Sequence, residues 1–78
     1  MSLKSKLYWR CRRGMKELDI VMLRYLDHHY DSATPQEQAV FERIVEMQDP
    51  ELWLWVSGRE APQDPQVSHV LAKMLAMP

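Results

Sequence analysis

Apolar residues recur at intervals of three and four along most of this chain, and no stretch alternates with the period of two expected for a half-buried strand. The longest such stripe runs through Met15, Leu18, Val21, Met22, Tyr25 and Leu26, with Ile20 and Leu23 beside it. It predicts a helix over about 15–30 that is wide enough in its apolar face to be touched from several sides. Val40, Phe41, Ile44, Val45 and Met47 predict a second helix over about 35–47. Val67, Val70, Leu71, Met74 and Leu75 predict a third over about 65–77. Leu3, Leu7 and Cys11 give an N-terminal helix over about 3–13 with those three residues turned to the core, and the apolar run Leu52 to Val56 gives a short helix over about 50–57. The pattern is all-α: a compact five-helix bundle forming one domain over residues 1–78, with short loops.

The punctuation agrees. Thr34-Pro35, Asp49-Pro50 and Asp64-Pro65 each place a capping side chain before a proline, the arrangement in which the cap bonds a free N–H of the first turn and proline sits where its missing N–H costs nothing. Thr34-Pro35-Gln36-Glu37 also fits a capping box, with Glu37 reaching back to the Thr34 amide. Gly14 and Gly58, the two glycines, can each end a helix in the left-handed conformation.

Charge adds a polarity that the total conceals. The net charge of −1 combines +6 over residues 1–16, which contain no acid, with −7 over residues 17–78. Polarity of this kind serves association with a partner. The basic, acid-free start has the composition of a mitochondrial transit segment, but it runs directly into the junction at Gly14 and is expected to be part of the fold. The longest apolar run is five residues, against roughly 20 for a membrane-spanning helix. One cysteine, Cys11, excludes an internal disulfide and fits a reducing compartment.

Around the wheel of the first helix, Lys6, Trp9, Arg10 and Arg13 share a face. This is either a cationic surface centred on an aromatic ring, suited to an acidic partner or a nucleic acid, or a solvated face whose tryptophan folds back on the domain. At the junction Arg13-Gly14-Met15-Lys16-Glu17, Arg13 closes one helix and Glu17 opens the next. Two readings follow: an exposed interhelical salt bridge worth about 0–1 kcal/mol, or a docking corner whose bare glycine lets a partner come close between two fixed charges. On the second reading Arg13 and Glu17 are surface groups whose loss spares stability. His28 and His29 are adjacent and so badly placed to chelate; no metal site is expected. Trp53 and Trp55, two apart, cannot both enter one small core, so one is expected to anchor the short helix and the other to lie partly exposed. There is no Gly-rich phosphate loop, paired-cysteine motif or activated serine, and Cys11 is expected to be a buried, inert thiol. No catalytic residue is expected.

The run Trp9-Arg10-Cys11-Arg12-Arg13-Gly14-Met15-Lys16-Glu17-Leu18-Asp19 resembles the signature of the succinate dehydrogenase flavoprotein assembly factors, the small "flavinator" family, whose motif Arg-Gly-x-x-Glu is filled by Arg13, Gly14 and Glu17. The likeness continues through Tyr30-Asp31, Phe41-Glu42-Arg43-Ile44 and Asp49-Pro50-Glu51-Leu52-Trp53-Leu54-Trp55. It implies a five-helix fold and a non-enzymatic chaperone that binds the flavoprotein subunit of succinate dehydrogenase, or of fumarate reductase, and promotes covalent attachment of FAD to that subunit. It further implies that Arg13, Gly14 and Glu17 make the contact, with Lys6, Arg10 and Lys16 as supporting surface. The factor itself would hold no FAD stably and would act as a monomer, in the cytoplasm of a bacterium or in the mitochondrial matrix of a eukaryote. Two other readings remain: an antitoxin-like binding module, and a small nucleic-acid-binding domain using the basic helix. The second is opposed by the −7 carried by the rest of the chain.

Overall fold

In the computed structural model, which describes residues 3–76 and side chains from Lys4 onward, the chain forms five helices: α1 (Leu3–Cys11), α2 (Lys16–His28), α3 (Pro35–Val45), α4 (Asp49–Val56) and α5 (Pro65–Leu75). The described residues contain no strand. The expected core position of Leu3 and the expected helical end at Met77 lie outside what is described. α2 is the central element. It packs on α1, α4 and α5, while α3 lies against α5 and α1.

The apolar stripes become one core, with Leu7 and Cys11 from α1; Leu18, Val21, Met22, Tyr25 and Leu26 from α2; Val40, Phe41, Ile44 and Val45 from α3; Leu52 from α4; and Val67, Val70, Leu71 and Met74 from α5. Two residues of the predicted stripes are not covered: Ile20 is 45% exposed and Leu75 39%. Trp53 and Trp55 are both half-buried against the core. In place of one anchor and one partly exposed ring, both rings are partly buried.

Three boundaries that differ from the sequence expectation have a local cause. α1 stops at Cys11 rather than Arg13 because the Arg13 amide is taken by the Asp19 carboxylate, at 2.6 Å, instead of continuing the ladder. α3 stops at Val45, whose carbonyl accepts from the Arg13 side chain, and the Met47 carbonyl just beyond the helix accepts from the same guanidinium. Thr34 and Asp64 cap their helices through the Glu37 and Gln66 amides, at 3.1 and 2.9 Å. Asp49, however, is already inside α4; the cap position belongs to Gln48, with no side-chain bond, because the Asp49 carboxylate is bound to Arg13.

The capping box is only half made. Glu37 turns inward: its carboxylate accepts from the Tyr25 hydroxyl at 2.6 Å and from Lys73 Nζ at 3.1 and 3.2 Å, with His69 Nε2 at 3.3 Å. Five residues on, Tyr30 donates to Glu42 at 2.9 Å in the same way. Phe41 lies between the two tyrosines, stacked on Tyr25 with centroids 4.3 Å apart and tilted against Tyr30 at 5.9 Å. Burial, and then the hydrogen bond to Glu42, push the Tyr30 hydroxyl up to about 12. Burial alone would raise the Glu37 pKa, but the bonds from Tyr25 and Lys73 and the charges of Lys73 and His69 outweigh it and hold the carboxyl below its ordinary value. A carboxylate whose folded pKa is depressed contributes fully above its unfolded pKa and loses that contribution as pH falls through the folded one. Replacing Glu37 by Gln should therefore destabilise the protein by about 1–2 kcal/mol near pH 7. The gap between variant and parent should close as pH drops below the ordinary glutamate value of 4.5, measured by urea unfolding between pH 7 and 3.

Candidate docking corner

The link between α1 and α2 spans residues 12–15. Gly14 holds φ +87°, and a Cβ built there would meet nothing within 4 Å. Glycine is needed at this point for the left-handed backbone, while the space above it is open. Met15 follows as the N-cap of α2 with extended backbone (φ −101°, ψ 108°) and packs its side chain on the core. Leu18, fully buried, anchors the next turn. Arg12, Gly14, Lys16 and Glu17 are left exposed above that apolar footing. Glu17 stands in the first turn of α2, where the helix N-terminus favours a carboxylate.

Arg13 points the other way. Its Nε donates to Asp49 Oδ1 at 2.6 Å, one terminal nitrogen donates to the Val45 carbonyl at 2.9 Å and contacts Met22 Sδ at 3.6 Å, and the other terminal nitrogen donates to the Met47 carbonyl. Only 12% of the side chain is exposed. The expected Arg13–Glu17 pair is not formed: the partner of Arg13 is Asp49, 36 residues away. One cation thus closes the end of α3, the start of α4 and the exit from α1, and Asp19 holds its amide from α2. The view of Arg13 as a surface group whose loss spares stability is corrected accordingly.

The remaining basic residues stay at the surface. Lys6 and Lys16 are exposed and make no ion pair among the described residues. Arg10 lies 3.5 Å from Glu46, with both side chains more than half exposed, a pair worth about 0–1 kcal/mol. Trp9 does not fold back: it is 61% exposed and meets Tyr8 edge-on at 5.7 Å. The cationic face therefore has its aromatic, but without Arg13, since the helix ends two residues before it. Beneath Tyr8 and Trp9 a groove of about 360 Å³ runs toward Leu26 and Asp27 of α2. Cys11 is fully buried, and burial pushes its thiol up to about 12, with the smaller opposing pull of the Arg13 charge outweighed. It is a protonated packing group.

The sequence profile of the family described as "flavinator of succinate dehydrogenase" matches residues 5–78. The chain belongs to this family. Curated relatives cover nearly its whole length. The protein named FAD assembly factor SdhE of Methylococcus capsulatus is 40% identical over 77 residues, 99% of this chain and 93% of that one. The protein of the same name from Colwellia psychrerythraea is 39% identical over 72 residues, 92% of this chain and 79% of that one. In this flavinator-family chain the Arg-Gly-x-x-Glu residues thus divide into an inward arginine and an outward glycine and glutamate.

Sequence reasoning missed Asp19 and Asp49. Asp49 was taken up by a cap reading that its proline made persuasive, and only tertiary structure pairs it with Arg13. Asp19 carried one signal, an acid in the first turn of α2, but the dipole alone accounts for such a residue. Replacing Arg13 by Ala should cost on the order of 2–4 kcal/mol, because it leaves Asp49 and the Val45 and Met47 carbonyls without their donor. Gly14→Ala should cost roughly 1–2 kcal/mol through backbone strain alone, and Glu17→Ala about 0.5 kcal/mol or less. Chemical denaturation of the three variants checks this order.

Proposed function

We propose that this protein is an assembly factor that binds the flavoprotein subunit of succinate dehydrogenase, and of fumarate reductase where that enzyme is present, and promotes covalent attachment of FAD to the subunit. The observation that carries the reading is the coincidence of the family match over residues 5–78 with a corner that is rigid below and open above. The relatives are named assembly factors rather than catalysts. The chemistry of attachment then belongs to the flavin and the subunit. The factor acts by binding the attachment-competent conformation better than its alternatives, which raises the population of that conformation.

On this reading Gly14 and Glu17 meet the partner directly, Lys16 flanks them, and Lys6 and Arg10 steer the approach of an acidic surface. Arg13 belongs to the contact surface as the support of the corner. The factor works as a monomer with no flavin held stably of its own. Its place is the bacterial cytoplasm, or the mitochondrial matrix if the source is eukaryotic.

The test is in-gel flavin fluorescence of the denatured flavoprotein subunit from cells whose only copy of the factor is a variant. Gly14→Arg puts a long cation into the open space above the corner. Covalent flavin should fall to the level of cells lacking the factor, while circular dichroism of the purified variant keeps its helical signal. Glu17→Ala should reduce covalent flavin with no change in melting temperature. Wild-type fluorescence with Gly14→Arg as the sole copy would refute the reading.

A further inference from the structure

We infer that Asp49 and Asp19 are positioning residues of the docking corner, and that Arg13 serves the partner through its inner face rather than as a contact of its own. The inference rests on the docking reading above and specifies how the corner is held.

A guanidinium has five N–H donors in a fixed fork. In Arg13 four of them are spent inside the molecule, on Asp49 Oδ1, the Val45 and Met47 carbonyls and the weaker Met22 sulfur contact. At most one donor remains for any partner. The backbone amide of the same residue is fixed by Asp19 Oδ1 at 2.6 Å. The residue immediately before Gly14 is therefore held at both its main chain and its side-chain tip, by carboxylates from two different helices. A Cβ at Gly14 would meet nothing within 4 Å, and glycine has the largest backbone freedom of any residue, so Gly14 does not hold its own conformation. What fixes φ +87° at Gly14, and with it the spacing from Gly14 to Glu17, is the clamp on Arg13 on one side and the half-buried Met15 and buried Leu18 on the other. Asp49 is the one carboxylate salt-bridged to Arg13 among the described residues. Its charge keeps the guanidinium aimed at the junction of α3 and α4, and away from solvent.

An arginine that touched the partner by charge would tolerate lysine. An arginine that works through three acceptors at once would not, because lysine offers a point charge in place of a planar fork. The experiment measures the affinity of the purified factor for purified apo flavoprotein subunit by calorimetry, with Asp49→Asn, Arg13→Lys, the double variant and Asp19→Asn. Asp49→Asn and Arg13→Lys should each weaken binding by roughly ten-fold. The double variant should be no worse than either single, since both remove the same coupling. Asp19→Asn should weaken binding in the same direction, with faster hydrogen exchange at the Arg13 amide; it also serves if Asp49→Asn does not fold. Val70→Ala, a truncation in the core of α5, lowers the melting temperature without touching the clamp and should bind like wild type.

Wild-type affinity for Asp49→Asn, or for Asp19→Asn where Asp49→Asn does not fold, would overturn the inference. So would losses for Arg13→Lys and Asp49→Asn that multiply in the double variant, or an equal loss for Val70→Ala. Gly14→Arg and Glu17→Ala in the same assay separate the two levels. If they lose binding while the clamp variants keep it, only the clamp is wrong. If they too bind normally, the docking reading has fallen with it.

Discussion

A chain of 78 residues has little core with which to define a surface, and here the definition of one corner is delegated to the guanidinium of Arg13. Four chain segments converge on that residue: the exit of α1 carries it, the first turn of α2 takes its backbone amide, and the end of α3 and the start of α4 take its side chain. Helix ends leave carbonyls without partners and adjacent starts leave amides without partners. Small domains usually meet that need with caps close in sequence. In this protein the end of α3 is satisfied by a residue more than thirty positions away, so the local end of one helix becomes a long-range tie. Desolvating a cation is costly. The charge of Asp49 and two carbonyl dipoles offset that cost here, and the partial exposure of Asp49, 38%, keeps the pair short of full burial.

The contact of α2 with α3 and α5 is fastened by other means. Two tyrosines, Tyr25 near the end of α2 and Tyr30 just beyond it, reach glutamates on α3 across the ring of Phe41. Lys73 brings α5 to the same carboxylate as Tyr25. No buried side-chain nitrogen or oxygen among the described residues lacks a partner, which is the condition under which polar groups inside a small protein add definition rather than subtract stability. The arginine clamp and the tyrosine pairs both border a core that includes residues from Leu7 to Met74. Each joins elements that the apolar contacts alone would leave free to slide, since hydrophobic burial is non-directional.

Helix number, order and inward faces were legible in the sequence because they depend on periodicity and on proline, both local properties. Thr34 and Asp64 cap as their spacing implies. The errors share one physical cause. Asp49, Glu37 and Arg13 each have an obvious local task, as cap, capping-box acid and last-turn base, and each is drawn away from it by a partner distant in sequence. A long-range hydrogen bond in a partly buried setting outcompetes a solvent-exposed cap worth about 1 kcal/mol. Ile20 fails differently. Its stripe is wide enough to surround a central helix, but no neighbour covers that side. Of the corner, Gly14 and Glu17 stand where the sequence put them, exposed and adjacent to the turn. That Arg13 would face inward had no signal in the chain before the structure placed Asp49 beneath it.

On the proposed reading, in which the factor promotes attachment in its partner without holding flavin itself, its effect must come from shape. It can only favour one conformation of its partner to the extent that it binds that conformation better than the others, and a surface that deforms to suit every conformation favours none. This is why rigidity under Gly14 matters more than the chemical groups displayed there. A bare glycine offers a partner a close approach to backbone but no specificity, because its conformation is free. Clamped between a doubly fixed Arg13 and the anchors Met15 and Leu18, the same glycine becomes a defined stretch of open backbone near the charge at Glu17. Preorganisation of this kind lowers the ordering cost of association and concentrates the remaining binding energy on the difference between partner conformations. The polarity of the sequence then has a division of labour. On the proposed reading the exposed cations Lys6, Arg10 and Lys16 steer the surfaces together from a distance, an effect that salt screens. On the same reading Arg13, turned inward onto Asp49, sets what the partner meets on arrival.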